Sequence, residues 1–258
     1  MGVIIPAAGS SSRFGGSSKM DADLGGRPVL HRTVDLFAKR DDVDAIVVAG
    51  PYEESAWGEF RLRHGDTLGL LGVTLCRGGE TTRTQTVRAS LEQMPEDCTH
   101  IAVHDGARPA TPIELIDRVF KAAQTHEAVI PAIEVGDTLK RVDADVQEEK
   151  EIDPLDAILG GGGKQNVKVR TVQETVSREG LVLVQTPHVF EAEVLRRAYA
   201  GDTEGTDDAA LVEAIGVDVV VVEGDPRNVK ITQKDDVDLA MRIMGLRASR
   251  GRESHKRF

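Results

Sequence analysis

Two basic residues set among small ones open the chain: Val3 to Lys19 reads VIIPAAGSSSRFGGSSK, with Arg13, Lys19 and no acidic group. Such a stretch can hold phosphate. A short buried strand, Val3 to Ile5, would deliver the chain to the end of a sheet. There Ala7, Ala8 and Gly9 would let a ligand come close to backbone N–H groups, while Arg13 and Lys19 supply charge. A nucleoside triphosphate or a similar polyanion suits this chemistry. By itself the stretch reads equally well as a Gly/Ser loop that ends a strand. Two neighbouring patterns are excluded. The dinucleotide fingerprint G-x-G-x-x-G fails because five residues, Ser10 to Phe14, separate Gly9 from Gly15. The P-loop pattern fails here and again at Gly160 to Lys164, where Ile158 takes the first glycine position and Gln165 follows the lysine.

A second chemical motif is His104-Asp105-Gly106-Ala107-Arg108-Pro109, directly after the apolar run Ile101 to Val103. Ligands of open α/β sheets bind beyond the carboxyl ends of strands, so this loop and the opening one can share a crevice. A carboxylate among phosphates makes sense when Mg²⁺ sits between them, which makes Asp105 the candidate metal ligand. The plainer alternative is a turn in which Asp105 caps and Arg108 pairs with it at the surface. Gly78-Gly79-Glu80, ahead of Thr86, forms a third set: backbone free of side chains could meet a flat base edge, and Thr86 offers a hydroxyl. In the fourth, Asn228-Val229-Lys230, a lysine emerges from a short apolar strand, a setting in which most lysines are merely solvated. Ser10 to Ser12 are rejected as nucleophiles, since no G-x-S-x-G elbow surrounds them.

The elements that must position these residues are legible as Val/Ile-rich runs alternating with helical patterns. The runs are Val3 to Ile5, Ala45 to Ala49, Val73 to Cys76, His100 to Val103, Ala128 to Ile133, Val182 to Gln185 and Val217 to Val222, and they suit strands buried on both faces. Val29, Leu30, Thr33, Val34 and Phe37 make one helical stripe. Thr111-Pro112-Ile113-Glu114 reads as a capping box, Thr206 as a cap for a helix that Gly216 ends, and Thr232 with Asp235 as the start of a last helix through Met244. The expected fold is a three-layer, Rossmann-like α/β domain with a mainly parallel sheet, spanning residues 1–246. Asp143 to Arg170, charged and carrying Gly160 to Gly163, reads as a projecting or mobile insertion, and the basic tail 247–258 as disordered.

The 258 residues suffice for one large core. A formal charge of −11, from 32 basic against 43 acidic residues, argues against nucleic acid and anionic membranes as partners, so an anionic substrate needs a local basic pocket. No apolar run approaches the roughly 20 residues that span a bilayer. Cys76 and Cys98 show neither metal-ligand spacing nor a disulfide framework, and no signal-like segment opens the chain, so a reduced cytoplasmic setting is expected.

Taken in order, the motifs PAAGSSSRF with Lys19, GGETTRTQTV, VHDGARP, GDTLKR (Gly136 to Arg141), TVSREGLVLVQTPHVF (Thr175 to Phe190), GTDDAA (Gly205 to Ala210) and VEGDPRNVKIT (Val222 to Thr232) resemble the 2-C-methyl-D-erythritol 4-phosphate cytidylyltransferases of the non-mevalonate isoprenoid pathway. The sister family that uses ribitol 5-phosphate shares most of them, and ribitol 5-phosphate is the alternative acceptor. A non-catalytic nucleotide-binding protein is disfavoured, because binding alone would not need the acceptor-side groups.

The resemblance implies a Mg²⁺-dependent nucleotidyltransferase. CTP would lie over the opening loop, with Arg13, Lys19 and Lys230 on the phosphates and Ala7, Ala8, Gly79 and Thr86 around cytosine. Asp105 and Arg108 would approach the metal and the acceptor, and Thr186 would face the acceptor. Thr138 and Arg178 would reach the acceptor phosphate of a partner subunit, from an arm at about 136–180 that pairs two chains into a homodimer with shared sites. The chain departs from the family pattern in three places. One extra residue precedes Arg83, which leaves open whether Glu80 or Thr81 faces cytosine. Gly106 stands where alanine is usual, and the arm is longer than usual by roughly one or two tens of residues.

Overall fold

The computed structural model describes residues 1–9, 14, 18–144, 147–150, 166–201 and 203–247, with the backbone alone at 147–150 and 166–168. Ser10 to Arg13, the glycine run Gly160 to Gly163 and the tail from 248 onward lie outside the described residues. The chain separates into two compact units, Met1–Ile133 with Val184–Phe258, and Glu134–Leu183.

The first unit begins with regular alternation: β1 (Gly2–Pro6), α1 (Val29–Ala38), β2 (Ala45–Gly50), α2 (Glu54–Leu70), β3 (Thr74–Arg77), α3 (Arg83–Leu91), β4 (His100–Val103), α4 (Ile113–Ala122) and β5 (Ala128–Glu134). In the second unit β6 (Leu139–Val142) pairs antiparallel with β9 (Val172–Val176), and β7 (Gln147–Lys150) with β8 (Asn166–Val169). β10 (Val182–Val184) straddles the boundary. The chain continues through β11 (His188–Glu191), α5 (Ala192–Ala200), α6 (Asp208–Ala214), β12 (Val220–Glu223) and α7 (Asp235–Ile243).

The sheet of the first unit runs β3-β2-β1-β4-β11-β5, with β12 also against β5. β1 pairs parallel with β2 and β4, β2 with β3, and β5 with β12, while β11 runs antiparallel to both β4 and β5. Side chains alternate across a strand, so β1 divides its apolar residues between two layers. Val3 and Ile5 join one cluster with Leu30, Val34 and Phe37 of α1, Trp57, Phe60 and Leu68 of α2, and Leu115, Ile116 and Val119 of α4. Ile4 joins the other, with Val87 and Leu91 of α3, Leu195 of α5 and Leu211 of α6. This double burial makes the architecture a three-layer α/β fold with a mostly parallel sheet.

Several sequence expectations need correction. Val182–Val184 is not buried on both faces: its residues are 37, 52 and 36% exposed. The run at Val217 becomes a strand only from Val220, and its alternate residues are exposed. β11 was not anticipated, because a four-residue antiparallel strand gives little periodicity. The Thr111 capping box does not form. Helix α4 begins after Pro112 without a side-chain cap, because the Thr111 hydroxyl is engaged by the Arg108 carbonyl, 2.9 Å away, and by Asn228 Oδ1 at 2.8 Å. Asp207 rather than Thr206 caps α6, accepting from Ala210 N–H, and Gly216 follows with φ +79°. Thr232 is tied to Asp236 rather than Asp235, through its N–H and its hydroxyl, both 2.7 Å from Oδ2.

Phe37 is fully buried and packs its ring against Phe120 and against His104, whose loop carries the candidate site. Replacing it with alanine removes a large apolar side chain from the packed core and leaves a void that its surroundings fill only in part. Phe37→Ala is expected to cost about 3–5 kcal/mol, read as a lowered urea midpoint at unchanged slope.

Candidate functional site

A cavity of about 380 Å³ opens at the carboxyl ends of β1, β3 and β4. The chain leaving β1 contributes Pro6, Ala8 and Gly9, and the short 3₁₀ turn Lys19–Asp21 contributes Lys19 and Met20. Gly79 to Thr82 come from the loop after β3, Arg83 and Thr86 from α3, Asp105 to Ala107 from the loop after β4, and Lys230 from the segment before α7. Parallel strands direct their carboxyl ends the same way, which is why loops distant in sequence meet here.

The two glycines after β3 are required by packing. A Cβ on Gly78 would lie 2.8 Å from Ala8 Cβ and from the Gly50 carbonyl, and one on Gly79 would lie 2.2 Å from Gln85 Cβ. The loop therefore presses its backbone onto the start of α3, where Gly79 N–H donates to Thr86 Oγ1 at 3.0 Å and the Thr86 hydroxyl donates to the Thr82 carbonyl at 3.1 Å. Thr81 is held by Gln85 Oε1, 3.1 Å from both its N–H and its hydroxyl. The loop after β4 is also closely packed. A Cβ on Gly106 would stand 3.2 Å from the Pro6 carbonyl and from Met20 Sδ, and Thr33 of the α1 stripe donates to the Gly106 carbonyl at 2.9 Å.

Asp105 is the electrostatic centre. Lys230 Nζ lies 2.8 Å and Arg108 Nε 3.4 Å from Oδ2, and Arg83 Nε lies 3.8 Å from Oδ1. Burial pushes its carboxyl up, but Lys230, then Arg83 and Arg108, more than offset this and hold it well below the usual carboxylate range. Asp105 is thus ionised at neutral pH.

A polar network beneath fixes this carboxylate. Asp105 N–H donates to Thr186 Oγ1 at 3.1 Å, and that hydroxyl lies 3.1 Å from His104 Nδ1. His104 Nε2 lies 3.3 Å from the Arg108 carbonyl, which can only accept, so the arrangement suits the tautomer protonated at Nε2. Asn228 closes the network: its amide donates to the Thr186 carbonyl at 2.8 Å, and its own backbone carbonyl accepts from Arg108 Nη1 at 2.7 Å.

The structure thus gathers Ala8, Gly9, Lys19, Gly79, Thr86, Asp105 and Lys230 around one cavity, with Thr186 directly below. Lys230 does not emerge from a strand; it follows a turn and meets Asp105, so it is not the merely solvated lysine that its sequence setting suggests. Ala7 is buried and its N–H is committed to the Ala49 carbonyl at 2.8 Å. Arg108 is turned toward Asn228 and Asp105 and does not line the cavity. Thr138 and Arg178 belong to the second unit, where Arg178 donates to the Gly136 carbonyl. Arg83, on the cavity wall, was missed, although its place in GGETTRTQTV was a signal.

Burial lowers the pKa of His104 to about 4, and His31 and His64 are also lowered by burial. The unfolded chain therefore binds these protons first, and stability present at pH 7 is lost as pH falls from about 6.5 toward 4. For His104 alone the loss between pH 7 and pH 5 is about 2 kcal/mol. Urea unfolding at the two pH values is expected to show a lower midpoint at pH 5. Asp105 and Asp208, both held low, add their losses only at more acid pH.

Comparison with known proteins bears on the family and the fold. The family model described as 2-C-methyl-D-erythritol 4-phosphate cytidylyltransferase matches residues 1–158 and 163–246. The enzyme of that name from Alkaliphilus metalliredigens is 36% identical over 95% of this chain and 93% of its own length. The one from Frankia casuarinae is 38% identical over 94% and 80%. A solved structure of the enzyme from Thermus thermophilus matches with a TM-score of 0.68 and 29% identity, covering 95% of this chain and 98% of that one. This chain belongs to the 2-C-methyl-D-erythritol 4-phosphate cytidylyltransferase family.

Proposed function

We propose that the protein transfers the cytidylyl group of CTP to 2-C-methyl-D-erythritol 4-phosphate, releasing pyrophosphate. The observation that carries this reading is the meeting of Lys19, Lys230 and Asp105 with the side-chain-free Gly78-Gly79 loop and Thr86 around one cavity, in a chain of this family. The relatives described above all carry the methylerythritol name, so ribitol 5-phosphate is not favoured as acceptor.

The site needs no nucleophilic side chain. A phosphate monoester has a second pKa near about 6, so the attacking oxygen of the acceptor is largely ionised at neutral pH. The protein's task is to hold two polyanions in line and to neutralise charge that develops as pyrophosphate leaves. Lys19 and Lys230 supply positive charge on the cavity wall, and Arg13, outside the described residues, is proposed to add to it. Gly79 and Thr86 offer backbone and hydroxyl groups to the cytosine edge, and Ala8 and Gly9 leave room for the nucleotide. Arg108 and Thr186 support the acceptor side.

Asp105 suits a divalent cation. It is an ionised carboxylate on the cavity wall, and among the described residues no group of three His, Cys, Asp or Glu could form a cage. One carboxylate completed by substrate phosphate oxygens is a usual way of holding Mg²⁺. When bound, the ion supplies further neutralisation of phosphate charge. Among the described residues no helix is long and apolar enough to cross a membrane, and with CTP as substrate the cytoplasm is the compartment proposed.

The second unit, with Thr138 and Arg178, is proposed to serve a homodimer in which each chain lends these residues to its partner's acceptor site. A reciprocal exchange of arms is a natural isologous contact for a two-fold dimer.

Pyrophosphate release from CTP and 2-C-methyl-D-erythritol 4-phosphate is the direct test. Lys19→Ala and Lys230→Ala are each expected to lower kcat by about a hundredfold or more in folded protein. Near-normal turnover in both would overturn the phosphate-binding role. Chelation should abolish activity, and Asp105→Asn should demand more Mg²⁺; turnover untouched by chelator would remove the ion from the scheme. For the shared site, Arg178→Ala should raise KM for the sugar phosphate and spare CTP. Mixed with Lys19→Ala, it should recover part of the activity through heterodimers with one intact site. A monomer at assay concentration, or no recovery after confirmed subunit exchange, would refute the sharing.

A further inference from the structure

Asp208 has no part in the chemistry above, yet its carboxylate is fully buried and forms the hub of a second charged cluster behind the cavity wall. Arg83 meets it at two points, Nη1 on Oδ1 and Nη2 on Oδ2, each at 2.8 Å. The Tyr199 hydroxyl donates to Oδ1 at 2.6 Å, and His188 Nδ1 stands 3.3 Å from Oδ2. Burial pushes the Asp208 carboxyl up, but Arg83 and His188 together more than offset it and keep the group ionised. The same guanidinium lines the cavity and turns its remaining nitrogen, Nε, toward Asp105 Oδ1 at 3.8 Å.

A buried ion pair is weak evidence for stability, because apolar residues of similar volume often do as well. This pair has a feature that a mere staple would not need. A guanidinium is planar, so gripping both terminal nitrogens fixes its plane, and in this arrangement the Nε edge faces Asp105. We propose that Asp208 is a positioning residue for the transfer reaction: through Arg83 it fixes the orientation of Asp105 at the cavity. The inference rests on the cytidylyltransfer reading given above. It adds a carboxylate that touches neither substrate nor metal but sets the geometry of one that does.

The test uses the full-length protein and pyrophosphate release from CTP and 2-C-methyl-D-erythritol 4-phosphate, with circular dichroism and thermal midpoints for every variant. Asp208→Asn keeps the shape and removes the charge. Arg83→Lys keeps the charge and removes the planar fork, and it carries the test if Asp208→Asn does not fold. Each is expected to lower kcat at least tenfold, since small misplacements at a reacting centre are costly, while KM for CTP changes less than threefold. The double variant should be no slower than the slower single, because the two residues act as a unit. Folded single variants with wild-type kcat, or losses that multiply in the double, would overturn the proposal and leave cytidylyltransfer standing. A wild-type protein that releases no pyrophosphate would overturn both.

Discussion

One carboxylate held among three cations sets the terms for this molecule. Asp105 sits at the end of β4 with Lys230, Arg108 and Arg83 around it, arriving from the segment before α7, from its own loop and from α3. Charges removed from water interact strongly and tolerate little misplacement, so such a cluster is useful only if the scaffold fixes every member. The scaffold does so by committing polar groups below the site. Thr186, His104, Thr111 and Asn228 satisfy one another and the loop backbone, and His104 stays neutral at physiological pH because it is buried.

The sheet is what makes that network possible. β1, β3 and β4 end at the same side, so the small residues after β1, the glycines after β3 and Asp105 after β4 converge. The antiparallel β11 lies between β4 and β5, and the chain entering it brings Thr186 beneath Asp105. Packing then reaches from the core into the site. Phe37 supports His104, and Thr33 of the same helix holds the Gly106 carbonyl, so the α1 stripe is both a core face and a support for the loop.

Much of this was legible in the chain. The Val/Ile runs at Val3, Ala45, His100 and Ala128 read as strands because residues buried on both faces leave no alternation to confuse the pattern. The α1 stripe read correctly because all five of its residues face one way into the core. Gly79, Asp105 and Lys19 were candidates in the chain, each with a plainer alternative use, and the structure brings all three to one cavity. β10 and β12 were harder, since apolar composition alone does not tell a buried run from an exposed edge.

The sequence by itself determined the class of fold, the family and the loops that carry the chemistry, because these depend on local pattern and on motifs in order. Tertiary structure alone decided which of those residues meet. Lys230 and Asp105 are joined only when the segment before α7 docks on the loop after β4, through Ile231 N–H and the Ala107 carbonyl at 2.8 Å. Arg83 and Asp208 lie 125 positions apart, and Thr111 gives up a local helix cap for Asn228, 117 positions away. Local propensity cannot rank such contacts: their free energy is the mutual attraction left after the cost of taking charged and polar groups out of water, and only the folded chain brings the partners together.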